Sequence, residues 1–207
     1  MLARRGAVVV DADQIARQLA APTGACFTPI VEHFGPAVVR EDGTLDRAAI
    51  AARVFNDPAQ LAALNAITHP AIAQAIRTRL ADLAARPEAG TPVVLDIALL
   101  NAATRDWYGL AAVVVVDAPV EVAVARLVEK RGMSEDDARA RVRAQVSRED
   151  RRQLADVVVD NSGSREQLEA RIDALWDWLQ DLDRGSVDGP AQEASNADGA
   201  EHDQEQQ

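Results

Sequence analysis

The run Val8-Val9-Val10-Asp11-Ala12-Asp13 sets two carboxylates, one residue apart, at the end of a β-branched stretch that leads into a helical pattern. An apolar strand of this kind suits burial in a parallel sheet, and the C-terminal tips of such strands are where open α/β sheets hold ligands. If the extended backbone persists through Ala12, alternation places Asp11 and Asp13 on one side, aimed at one target. Carboxylates there can accept the proton of an attacking hydroxyl and hold Mg²⁺ through water, which is what phosphoryl transfer requires. On this reading Asp13 is the general base and Asp11 the metal contact. The alternative is that Asp11 only caps the following helix, since aspartate is a favoured N-cap. Arg17, four residues after Asp13 on the same helical face, either pairs with Asp13 or meets a substrate phosphate.

A second concentration of chemistry lies between Arg126 and Arg152, where eight arginines and Lys130 stand against six acids in a chain of formal net charge -11. Guanidinium forks match phosphate oxygens, so this arm reads as a lid closing over a polyphosphate, with Arg141 the residue chosen to reach it. The alternative is a solvated helix pair laced by i,i+4 ion pairs such as Glu135 with Arg139. Asn161-Ser162-Gly163 follows the last β-branched run. It is either a simple turn or a place where backbone and an amide approach a base or phosphate. His33 and His69 have no partners at metal-ligand spacing, so structural or substrate-contact roles fit them better than zinc. Cys26 is the only cysteine, which excludes an intrachain disulfide and a cysteine-rich metal cluster.

The elements that must position these groups follow from periodicity. Val8 to Val10, Val93 to Ile97, Ala112 to Asp117 and Val157 to Asp160 read as buried strands, and long helical patterns alternate with them. That alternation predicts an α/β fold, a parallel sheet with flanking helices. The block from about 27 to 86 is too long for a crossover and reads as a helical substrate-binding insertion, with helix starts at Thr44, at Asp57-Pro58 and at Pro70. Ser134 and Ser147 cap two helices of a lid spanning about 131–152. Arg165 to Leu182 forms a final helix with a Ser164/Gln167 capping box and a stripe of Leu168, Ile172, Leu175, Leu179 and Leu182.

With 207 residues, 48% of them hydrophobic, the chain suits one domain over residues 1–182. From Asp183 to Gln207 seven acids face one arginine with no apolar stripe, so this segment is expected to be a disordered acidic tail. The acidity opposes nucleic-acid or anionic-membrane partners, and no signal segment or bilayer-length apolar run is present. A cytoplasmic protein is expected, with an oligomeric state that the sequence leaves open.

Several segments then carry a resemblance in both order and spacing. They are Asp11-Ala12-Asp13-x-x-Ala16-Arg17, His33-Phe34-Gly35, Asp42-Gly43-Thr44-Leu45-Asp46-Arg47, Leu64-Asn65-Ala66-Ile67-Thr68-His69-Pro70, Arg139-Ala140-Arg141-x-x-Ala144-Gln145, and Ala155-Asp156-Val157-Val158-Val159-Asp160-Asn161-Ser162-Gly163. Together, from Met1 to about Leu182, they resemble the dephospho-CoA kinase family. The resemblance implies a P-loop kinase-like fold and phosphorylation of the ribose 3′-hydroxyl of dephospho-CoA by ATP with Mg²⁺, the last step of coenzyme A synthesis. It implies Asp13 as base, Arg17, Asn65 and His69 in the substrate region, Arg141 in the lid, and Asn161 with Gly163 near the nucleotide.

Two departures from the family pattern bear on activity. The family opens with a strand and a Gly-Gly-x-Gly-x-Gly-Lys-Ser type loop whose amides cradle phosphates. Here only Met1 to Ala7 precede the first strand, resembling the end of the helix after that loop, and Lys130 is the only lysine. The expectation is a sequence that begins downstream of the family's start, lacks the central first strand and is inactive as it stands. The strands matching Val93 to Ile97 and Ala112 to Asp117 would then carry unpaired edges. The second departure is Ile97-Ala98-Leu99-Leu100-Asn101-Ala102, with alanine at the family's Pro and Glu positions. The alternatives are a non-catalytic CoA- or nucleotide-binding protein of the same fold and a haloacid dehalogenase-like phosphatase. The latter wants a Ser or Thr ending a later strand, which Val113 to Ala118 does not supply.

Overall fold

Side chains branched at Cβ fit a pleated, doubly covered surface, and the four valine-rich runs become the strands. These are β1 (Val8–Asp11), β2 (Val93–Asp96), β3 (Val114–Asp117) and β4 (Val157–Asp160), each ending on an aspartate. The structure, a computed structural model, describes residues 1–55, 57–86, 90–98 and 104–182. The expected tail, 183–207, and residues 99–102 of the departure at 97–102 lie outside the described residues.

β1 pairs with β2 in parallel, from Val8 against Val93 to Asp11 against Asp96. β3 pairs with β4 in the same way, from Val114 against Val157 to Asp117 against Asp160. Among the described residues no ladder joins β2 to β3. An apolar hollow of about 330 Å³ separates them, lined by Val94, Leu95, Leu110, Ala112, Leu179 and Leu182 among others. The expected parallel architecture is present, and it comes as two strand pairs.

Between β1 and β2 lie α1 (Ala12–Leu19), α2 (Phe27–Phe34), α3 (Arg47–Phe55) and α4 (Pro58–Ala84). Their core gathers Cys26, Ile30, Phe34, Val38, Leu45 and Ile50. Two helix starts differ from expectation. Thr44 is engaged by the Asp42 carboxylate, and a bridge between Val39 and Leu45 keeps that segment extended. Asp46 caps α3 instead, accepting from the Ala48 and Ala49 amides at 3.0 Å. Pro70 does not open a helix: α4 runs through it, capped only at Asp57, which accepts from Ala59 and Gln60. A proline inside a helix costs about 3 kcal/mol. Packing of α4 on α1, α2, α3 and β1 carries the helix across the break.

After β2 come α5 (Thr104–Tyr108), α6 (Val120–Arg131), α7 (Glu135–Arg143), α8 (Arg148–Gln153) and α9 (Arg165–Leu182). Ser134 and Ser147 cap α7 and α8 as expected. The Ser164/Gln167 box closes at 2.9 and 3.3 Å. Ile172, Leu175 and Trp178 of α9 pack on Val157 and Val159 in a second core, which Met1 and Leu2 also join. Leu2–Arg5 forms one 3₁₀ turn that closes on Gly6 at φ 111°, a left-handed conformation that favours glycine.

Candidate active site

The β1 tip decides the geometry of the first acidic pair. Extended backbone stops at Asp11, whose Oδ1 accepts the Gln14 amide at 2.8 Å and caps α1. Ala12 is already helical, so Asp11 and Asp13 do not share a strand face. The cause is local: a capping carboxylate satisfies an orphan amide and competes with continuation of the strand. Asp13 sits exposed in the first turn of α1. Arg17 lies 3.7 Å from Asp11 Oδ2, so its partner is Asp11 and not Asp13.

Beside this tip is a hollow of about 390 Å³ lined by Asp11, Gln14, Gln18 and Arg79 over an apolar floor that includes Val10 and Leu19. It offers a carboxylate on one wall, a guanidinium from α4 on another, and two amides between. Asp13 is not among its lining residues. Arg79 makes no ion pair or hydrogen bond among the described residues, and nothing in the sequence marked it out, because the contact of α4 with α1 is a tertiary event. Asn65 and His69 stand one turn apart on α4, half-buried and exposed respectively. His33 bonds to Gln60 Oε1 and meets Phe34 edge-on, a structural role. Burial pushes the Cys26 thiol up, which keeps it protonated.

The arginine arm divides into two behaviours. Arg139 pairs with Glu121 and Glu135 on the surface, matching the helix-pair alternative. Arg141 is exposed on α7 without an ion pair among the described residues. Arg148 and Arg152, which the sequence did not single out, reach the β3 tip. Arg148 Nε and Nη2 donate to Asp117 at 2.9 and 2.7 Å, and Arg152 Nη1 donates at 2.8 Å. Asp117 is only 3% exposed, yet the Arg148 bonds, with help from Arg152, outweigh burial and hold its carboxyl below the usual range.

On the neighbouring strand, burial pushes Asp160 up, but the Ser162 bonds and Arg171 more than offset this and its carboxyl is lowered. Arg126 fixes the turn after β4, donating to the carbonyls of Asn161 at 2.5 Å and Gly163 at 3.0 Å. The Asn161 backbone N–H donates to the Asp117 carbonyl, and the Asn161 side chain has no hydrogen-bond partner among the described residues. Three of the four strand-tip aspartates are thus met by four arginines, Arg17 at Asp11, Arg148 and Arg152 at Asp117, and Arg171 at Asp160. Among the described residues no group of three or more His, Cys, Asp or Glu is placed to hold a metal.

Comparison with known proteins gives a consistent result. The family profile described as dephospho-CoA kinase matches residues 1–167. A dephospho-CoA kinase of Thermobifida fusca is 45% identical over 180 residues, covering 86% of this chain and 87% of the relative. One from Streptomyces avermitilis is 45% identical over 177 residues, covering 85% and 83%. A crystal structure from Thermus thermophilus superposes with a TM-score of 0.66 at 35% identity, covering 86% of this chain and 88% of that one. The Campylobacter jejuni dephospho-CoA kinase, 21% identical, shares the fold with a TM-score of 0.57 over 86% of this chain and 88% of its own.

Proposed function

The chain belongs to the dephospho-CoA kinase family, and on that premise we propose that its site serves ATP-dependent phosphorylation of the ribose 3′-hydroxyl of dephospho-CoA. The observation that carries this reading is the hollow at the C-terminal tip of β1, where Asp11, Gln14, Gln18 and Arg79 converge. In this reading Asp13, exposed on the first turn of α1 next to Gln14, accepts the proton of the attacking hydroxyl. Arg17, Asn65 and His69 hold the substrate, and Arg141, Asn161 and Gly163 hold the nucleotide. Asp11 and its register partner Asp96 offer hard oxygens of the class that Mg²⁺ takes, and a cation there would offset the phosphate charge. Residues 1–182 act as one domain, with 27–86 as the substrate lobe and 131–152 as the lid. No helix among the described residues is long and apolar enough to cross a membrane, and we assign the protein to the cytoplasm.

The 207 residues contain one lysine, Lys130 on α6, and no Gly-Lys-Ser or Gly-Lys-Thr loop. No such loop within these residues offers an amide cradle for a triphosphate, and this supports reading the 207 residues on their own as binding without transfer. The test follows coenzyme A formation by mass spectrometry with ATP and dephospho-CoA. The 207-residue chain should give none, and a chimera carrying the leading segment of the Thermobifida fusca relative ahead of Met1 should give turnover. In that chimera Asp13→Asn should keep dephospho-CoA binding and lose about 10²-fold or more in kcat. Unchanged kcat would remove Asp13 from the base role, and robust turnover by the unfused chain would refute its inactivity.

A further inference from the structure

We propose that Asp117 is a positioning residue that presents Arg148 and Arg152 as a paired fork for a polyphosphate at the C-terminal rim of β3 and β4. The inference deepens the lid reading above and rests on it. Asp117 is the one charged side chain that is fully buried among the described residues. A buried carboxylate is tolerated only when it is paired and hydrogen-bonded. One bidentate guanidinium would meet that need, yet Asp117 receives two. Arg148 and Arg152 lie one turn apart on α8, a helix with no buried residue of its own. Apolar packing therefore does not seat α8 over the sheet, and the Asp117 carboxylate supplies the anchor.

The remaining donors point to a ligand. Nη1 of Arg148 and Nε and Nη2 of Arg152 have no partner among the described residues, and the two side chains are 43% and 44% exposed. The adjacent carboxylate, Asp160, is already taken by Arg171 and Ser162. Arg148 and Arg152 share the single Asp117 carboxylate, with Glu149 acting on Arg148 from the same helix, and their remaining N–H groups belong to part-exposed side chains. Planar guanidinium forks held in fixed geometry suit the oxygens of a phosphoanhydride chain better than a point charge would.

Inorganic tripolyphosphate, titrated calorimetrically into the 207-residue chain, tests this without substrate or turnover. Wild-type protein should bind it, and Asp117→Asn should weaken binding about tenfold while amide exchange in α8 speeds up and that of α1 to α4 stays unchanged. A carboxylate that merely repelled the anion would give the opposite sign, so tighter binding overturns the proposal. Unchanged binding with faster α8 exchange also overturns it, by reducing Asp117 to a structural role. The double variant Arg148→Lys with Arg152→Lys keeps the charge at exposed positions and loses the fork. It should weaken binding as much, and it decides the matter if Asp117→Asn does not fold. Equal binding by that double variant, or no binding by wild type, refutes the fork. Failure of phosphate transfer in the chimera, with tripolyphosphate still bound here, would count against the proposed function alone.

Discussion

At the scale of single residues, the Asp117 carboxylate ties the arm to the sheet, and its contribution depends on pH. Because its folded pKa lies below the ordinary value, the stabilisation is fully present above about pH 4 and is lost as pH falls through the lowered value. Asp117→Asn should therefore be less stable than wild type by about 1–2 kcal/mol at pH 7, a figure discounted for the half-exposed arginines. The gap should narrow as pH falls below about 4, as urea unfolding at pH 7 and at a series of acid pH values would report. None of this was legible in the chain. Asp117 reads as one more strand-ending aspartate, and 31 positions separate it from Arg148. The caps at Ser134, Ser147 and Ser164 were legible because donor and acceptor lie within three residues. For the Asp11/Asp13 pair the capping alternative holds for an equally local reason: the conformation of one intervening residue decides whether two carboxylates share a face.

At the scale of elements, α4 is the clearest case of tertiary packing overriding a local signal. Pro70 has no N–H to give to the carbonyl one turn back, yet the helix persists over 27 residues. Pro70→Ala restores that bond, and should raise the unfolding free energy by about 1–3 kcal/mol, measured as a shift in urea midpoint at unchanged slope. The strands were legible within two residues at every end because valine runs are unambiguous. The start of α3 was not, since Thr44 and Asp46 are both acceptable caps and only the bridge between Val39 and Leu45 chooses between them.

At the scale of the molecule, composition and periodicity foretold the α/β class and the helical block between β1 and β2, while the family resemblance implied open edges on β2 and β3, which no ladder joins among the described residues. Such edges are templates for pairing with another chain. Sedimentation velocity should show association growing with concentration, and Val93→Lys, at a 42% exposed position on β2, should suppress it. The Leu2–Arg5 turn, which leads into β1, lies on α9, which packs on β4. Arg4 there meets Glu169, and Arg5 meets both Glu169 and Asp173. The turn is thus held to α9 both by the apolar packing of Met1 and Leu2 and by these ion pairs. In concentrated salt, where screening shrinks to about 3 Å, the ionic share of that hold weakens and the apolar share carries it.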